Sequence, residues 1–462
     1  MKPLRFAVFS LTATSLLALG TACTSDTNPF DVTITSTPEK NTTIRVEFNV
    51  AETRALSTSS ETALNYVSIY VFDENGNLEA SKKEHNLNDA GQPELKVTVG
   101  NKTVYAIAGN SIKIPTDGIS TMDEFEAIVF DSSVSQLKNG QGFMMIGKSD
   151  QKSAYYTIEG ADIPASNIFT IDLVRLAAKT QVKVNNQIDT SAFGFSMPSL
   201  PSFGVAQTCD KMRIKHNGED VITNYQDANN GSFVGYTESS KDDFIDVRPG
   251  DFTADNCKYM TENIVSKPTS GNTTFVVLKA VFIPTAFYTC QQNSIPQTSS
   301  AKPGAYASNF YAVGIVDRSN GYEDFTIDPS NKHVYAFQYK TDADNYAAAL
   351  NGGVVPAITV SEDDAPMRAP ITRASNNFQV LEFEGGQAYY RINITDDNVM
   401  KVERNKYYKI TVNSIKSLGS QSEEMLRPSN PNSDFSTPTS SMIGTTFKIV
   451  EWDPIDQDVD LD

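Results

Sequence analysis

From residue 42 the chain reads TTIRVEFNV, with Ile44, Val46, Phe48 and Val50 on one side and Thr43, Arg45, Glu47 and Asn49 on the other. That period of two predicts a half-buried β-strand. The alternation returns at Val67, Ile69 and Val71, and Asn75-Gly76 behind it supplies the positive φ of a tight hairpin turn. Further strands are predicted over 95–99, 102–109, 143–147, 169–176 and 179–184. In the second half they fall at 273–284, 310–316, 333–339, 378–384, 388–395 and 407–415, with Gly, Asn, Asp and Ser between them. The segment 273–284 is apolar on both faces, as a central strand is.

Two stretches read as helix. Thr121-Met-Asp-Glu is a capping box ahead of Phe125, Ile128 and Val129. Residues 343–351 form a second short helix, capped by Asp342 and stopped by Gly352-Gly353. From 185 to 255 the alternation dissolves into Pro, Gly, Ser and Asp, including the Pro-broken run 193–204, with only short strands around 212–215 and 244–247. The fold class is therefore all-β, and 462 residues exceed what one core serves. Two antiparallel β-sandwich domains with short helices in the connections are expected, 55–240 and 241–440.

The last residues change that picture. After a polar, Pro-containing linker over 418–441, the tail 441–462 ends in strict alternation, Ile455, Gln457, Val459 and Leu461 against Asp456, Asp458, Asp460 and Asp462. A strand at the start and a strand on a leash at the end thus share one period. Behind the first comes AETRALSTSSET, small and polar, in which Arg54 is the one basic residue, so a trypsin-like enzyme is expected to cut between Arg54 and Ala55.

If 42–50 pairs in a sandwich, it buries four apolar side chains at roughly 1.5–3 kcal/mol each, with about 0.5–1.5 kcal/mol per ladder hydrogen bond. That rivals a whole domain's stability of about 5–15 kcal/mol. A cut alone does not release such a strand, and its departure must be coupled to the arrival of another. The tail of a second copy supplies one, and the head-to-tail contact that results produces a filament. The alternative is a first strand that stays permanently and a tail that packs on its own domain.

The N-terminus bears on location. Lys2 and Arg5 precede an apolar run over 6–19 and then Gly20-Thr21-Ala22, the order of a secretory signal in 1–22. The run is short for a bilayer span. Cys23 directly behind it resembles the lipidated cysteine of bacterial lipoproteins, although Gly20 stands where a branched aliphatic residue is commoner. An ordinary signal followed by an incidental cysteine is the alternative. Residues 23–54 are then a propeptide carrying the removable strand.

Charge and candidate chemistry mostly exclude. A formal charge of −18 argues against a nucleic-acid partner. Three histidines, His85, His216 and His333, lie far apart with no nucleophile motif, so no enzyme and no cofactor is expected. Cys209, Cys257 and Cys290 allow at most one internal disulfide, whose pairing stays open, and no CxxC suggests zinc. Asp73, Asn75, Asn77 and Glu84 mimic calcium-loop spacing, but Leu78 stands where that loop needs glycine, and a hairpin turn explains them.

Several stretches carry a likeness in order: ALNYVSIYVFDENGNL (63–78), GNKTVYAIAGN (100–110), FMMIG (143–147), IDLVRLAAK (171–179), NCKYMTEN (256–263), ERNKYYKITVNSIKSLG (403–419) and the tail with Trp452. Through them the sequence resembles the fimbrillins, the type V pilus subunits of Bacteroidales. The resemblance implies two transthyretin-like β-sandwich domains and a lipoprotein precursor carried to the outer membrane. It also implies cleavage by an arginine-specific protease and polymerisation with itself and with accessory fimbrial subunits. Carried over, Cys23 is the lipidated residue, Arg54-Ala55 the cut, and 447–461 the donor strand with Phe447, Ile449, Trp452, Ile455, Val459 and Leu461. Arg368 and Arg373 are rival cleavage points. A tip or anchor subunit, or a monomeric glycan-binding surface lipoprotein, are the competing readings.

Overall fold

The first alternating segment forms β1 (Thr42–Val50), and its burial follows the alternation, with Ile44 and Val46 closed to solvent and Thr43, Arg45 and Glu47 half-exposed. The computed structural model describes residues 39–50, 63–109, 114, 116–131, 137–139, 142–184, 188–209, 211–215, 236–237, 244–249, 252, 256–264, 268, 271–304, 308–317, 324–327, 334–353, 378–396, 399–415, 418–423, 426 and 443–451.

β2 (Tyr66–Phe72) and β3 (Leu78–Asn86) follow as a hairpin. Asp73 closes its turn by accepting the N–H groups of Asn75 and Asn77 at 2.9 and 2.8 Å, and Gly76 takes φ 79°. The residues with calcium-like spacing are thus turn residues. Five more strands complete the sheet: β4 (Glu94–Val97), β5 (Gly100–Ala108), β6 (Met145–Lys148), β7 (Lys152–Ala154) and β8 (Ile168–Arg175). Their order is β3-β2-β5-β6-β8-β1-β4, with β7 beside β5. β6 and β8 approach so closely that a Cβ on Gly147 would lie 2.4 Å from the Asp172 carbonyl oxygen, which explains the glycine that ends FMMIG. Helix α1 (Met122–Glu126) carries the expected capping box: Thr121 Oγ1 accepts the Glu124 N–H, and the Glu124 carboxylate accepts the Thr121 N–H, each at 3.2 Å. It delivers Phe125, fully buried, onto Tyr70, Phe72 and Tyr105.

The second half is built from two sheets facing one core. β9 (Ala178–Val184), β12 (Arg248–Pro249), β13 (Lys258–Met260), β19 (Lys406–Ile415) and β20 (Ile443–Glu451) form one, in the order β12-β9-β19-β20 with β13 beside β9. β10 (Ser202–Ala206), β11 (Ile245–Asp246), β14 (Phe275–Val281) and β18 (Gln387–Asn393) form the other, in the order β11-β10-β14-β18. Val182, Tyr408 and Ile410 from the first meet Phe203, Leu278 and Tyr390 from the second. A third sheet of β15 (Phe310–Asp317), β16 (Asp324–Ile327) and β17 (Phe378–Phe383) adds Phe310 and Phe383, stacked at 4.9 Å.

The all-β sandwich class stands, with parallel pairs inside it: β1 beside β8, β9 beside β19, and β9 beside β12. Three local readings need correction. The 333–339 segment is no strand: Phe337 makes only isolated bridges to Tyr288 and Tyr311, and His333 lies outside the described residues. Its alternation serves two clusters, Val334 and Ala336 entering the second core while Phe337 packs with helix α2 (Lys340–Asn351). That helix begins at Lys340 after Tyr339, so Asp342 is not its cap; its carboxylate accepts the Cys290 N–H at 2.8 Å. The run 193–204, read as broken, gives Phe193, Phe195 and Phe203 to the second core. Core membership changes hands between Ala177 and Ala178, upstream of residue 240 where loss of alternation suggested a boundary, while Met212 and Ile214 return to the first core.

Candidate functional site

The seat of β1 is the site to which the sequence points. On one side β1 runs parallel to β8, from Arg45 opposite Ile168 to Val50 opposite Leu173. On the other it runs antiparallel to β4, from Thr42 opposite Val97 to Arg45 opposite Glu94. β1 is therefore an interior strand. Ile44 and Val46 lie in one core with Leu95 and Val97 of β4 and with Phe169, Ile171 and Leu173 of β8, and Phe48 and Val50 pack at its margin.

The outer face is polar and lightly tied. Arg45 Nη2 meets Glu94 Oε1 at 2.8 Å, both partly exposed, and Asn49 donates to Asp172 at 3.0 Å. A surface pair of that kind contributes little. Next to the end of β4, Lys102 and Glu79 form a buried ion pair at 2.8 Å, and Lys102 also donates to Thr98 Oγ1 at 3.0 Å. Two side chains that sequence reasoning missed touch the backbone of β1: Thr43 N–H donates to Thr157 Oγ1 at 2.9 Å, and Asn167 Nδ2 donates to Thr43 O at 3.1 Å.

A second polar cluster braces the same core. Glu126, at the end of α1, accepts hydrogen bonds from Lys215 at 2.6 Å, from Lys148 at 3.2 Å and from the Tyr105 hydroxyl. Burial pushes the Glu126 carboxyl up, and the bonds from Lys215, Tyr105 and Lys148 outweigh it, so the net direction is down. The Tyr105 hydroxyl moves up, through burial and then through the adjacent carboxylate.

Of the expected site residues, Ile44, Val46, Phe48 and Val50 share the inward face of β1. Phe447 and Ile449 lie in β20, opposite Ile410 and Tyr408 of the same chain. Cys23, Arg54, Ala55, Trp452, Ile455, Val459 and Leu461 lie outside the described residues. Cys209 and Cys290 are buried and Cys257 is partly buried. Burial pushes the Cys290 thiol up, away from reactivity.

Residues 21–190, which include β1 and the rest of the first sheet, match the family model described as major fimbrial subunit protein (FimA). No curated protein matches. Among solved structures, a fimbrilin of Porphyromonas gingivalis is similar at 12% identity over 91% of this chain and 99% of its own, with a TM-score of 0.44. The tip fimbrial protein Mfa3 of the same organism, with a C-terminal truncation, is similar at 14% identity over 89% and 100%, with a TM-score of 0.37. A fimbrial assembly protein of Parabacteroides distasonis follows at 16% identity over 60% and 92%, with a TM-score of 0.33. Likenesses this distant carry no argument by themselves, whereas the sequence match spans β1 and both strands that hold it. What the comparisons give is thus a likeness over residues 21–190, where the chain is similar to the major fimbrial subunit protein family.

Proposed function

We propose that this protein is a fimbrial stalk subunit, exported as a lipoprotein through Cys23, cut between Arg54 and Ala55 by an arginine-specific protease, and polymerised by strand exchange. The observation that carries the reading is the seat of β1: an interior strand, next in sequence to the polar stretch with Arg54, whose inward residues fill a core supplied by β4 and β8. Removing it opens a slot walled by two strands with unpaired backbone, and a strand of alternating period restores both the ladders and the core.

The donor is the segment 447–461 of a second copy. Its first part, containing Phe447 and Ile449, rests on β19 in the single chain, so donation draws that part away or uses the residues beyond Glu451. Trp452, Ile455, Val459 and Leu461 then supply the apolar face. An anchor subunit would keep β1 in the same seat, so the fate of the N-terminus separates the two roles.

The test is the mass and N-terminal sequence of protein sheared from cells, beside gels of unheated and heated samples. A start at Ala55 with heat-sensitive ladders is the expected result; a lipidated Cys23 start on a single band would overturn it. Deleting residues 452–462 should leave a folded, cleavable chain that forms no ladder.

A further inference from the structure

The backbone of β1 presents a problem at its first turn of ladder. Pairing with β8 opens only at Arg45 opposite Ile168. Two residues earlier, Thr43 faces the 3-10 turn Ala165–Asn167, where no strand exists to pair with. Both main-chain groups of Thr43 nevertheless find partners on that side, in side chains. Its N–H donates to Thr157 Oγ1 at 2.9 Å and its C=O accepts from Asn167 Nδ2 at 3.1 Å.

Asn167 is built for this position. It is fully buried, its Oδ1 accepts the Tyr155 N–H at 2.9 Å, and its Nδ2 also donates to the Tyr155 carbonyl at 2.7 Å. One amide side chain thus fixes the loop that carries Thr157 and aims its remaining hydrogen-bonding capacity at the strand. An asparagine amide has two N–H donors and can serve both carbonyls at once.

We propose that Thr157 and Asn167 form a main-chain binding site that grips, by its N–H and C=O, whichever extended strand occupies the seat of β1, and so carries that strand's pairing two residues beyond the β8 ladder. Because the site reads backbone and not side chain, it serves β1 and, on the strand-exchange reading it rests on, the tail of a second copy of this chain. A slip of one residue would turn the apolar face of an incoming strand outward. The core face opposes that slip, since the grip reads no side chain; once the apolar set points inward, the grip holds the residue whose amide groups point toward β8, as those of Thr43 do. In the alternating tail that residue belongs to the polar set, one of Asp456, Asp458, Asp460 or Asp462.

The test uses the full chain cut with an arginine-specific protease and two labelled peptides of sequence 42–50, one N-methylated at the Thr43 amide. The unmodified chain should prefer the unmethylated peptide. In Thr157→Val that preference should shrink about fivefold to tenfold, the worth of one hydrogen bond of about 1 kcal/mol, while Thr157→Ser restores it. An equal preference in the unmodified chain and in Thr157→Val would overturn the proposal. Should the cut chain take up neither peptide, strand exchange falls, and the grip is read in the uncut chain by hydrogen exchange. Thr157→Val should then speed exchange of the Thr43 amide severalfold relative to Arg45, and an unchanged ratio would overturn the grip itself.

Discussion

Substitutions on the two faces of β1 should differ sharply. Ile44 is closed to solvent inside the first core, and Ile44→Ala removes buried methyl groups and leaves a cavity between β4 and β8. Truncations of this kind cost about 2–5 kcal/mol. Arg45 lies next to it on the outer face, and its partner Glu94 is similarly exposed at 2.8 Å. Arg45→Ala removes a solvent-screened pair worth no more than about 1 kcal/mol. Urea unfolding of the uncut full-length chain, followed by far-ultraviolet circular dichroism, reads both. With a slope of about 1–3 kcal/mol per molar urea, Ile44→Ala should lower the midpoint of the transition that melts the first core by about 1 M or more, and Arg45→Ala by a few tenths at most. Since each 1.4 kcal/mol is tenfold in an equilibrium, the same loss should raise the fraction of cut chains that have shed β1 by at least about 30-fold. Equal midpoints for the two variants, or an Ile44→Ala midpoint within error of the parent, would refute the assignment of β1 as an integral core strand.

Glu262 binds Arg404 at 2.5 and 3.0 Å in a nearly solvent-free pair, so Glu262→Ala should cost about 3–5 kcal/mol by stranding the guanidinium, with Arg404→Met together with Glu262→Leu regaining most of it in thermal unfolding. The depressed carboxyl of Glu126 contributes stability that is present above its unfolded value, near 4.5, and is lost as pH falls through its lower folded value. Melting temperature should therefore fall below pH 4.5 more steeply in the parent than in Glu126→Gln, and parallel pH profiles would contradict this. Gly147→Ala should cost about 1–3 kcal/mol in urea unfolding, because its Cβ would force β6 from β8. Thr121→Ala should cost about 1 kcal/mol by uncapping α1, measured as a lowered melting temperature.

The strands were legible wherever one face is buried and the other wet, because there the period of two is imposed by the core, as in β1 and β4. The capping box at Thr121 and the turn at Asp73 were legible because their partners sit within four residues. What escaped depends on distant chain. Asn167 meets Thr43 across 124 residues, and its role follows from a register that no local pattern encodes. The strand β10 hid behind Pro198 and Pro201, where flanking prolines masked a segment paired on both sides by β11 and β14. In 333–339 the alternation was real but answered to two side-chain clusters in place of a ladder. The β1 seat itself was half legible: its inward residues could be named, whereas its parallel partner could not, since nothing in 42–50 distinguishes a parallel neighbour from an antiparallel one.

The passage from β8 to β9 is only Leu176 and Ala177, and both are buried. Leu176 N–H is bonded to Met144 O and Ala177 O accepts from Asn405 N–H, each at 2.9 Å, while Arg404 donates across to the carbonyls of Arg213 and Ile214 beside the first core. Domains joined by an exposed linker swing freely; here any bend at the joint must first break those bonds. A pull on one core is therefore felt at once by the other, and the two should shift together under load before the joint itself gives way.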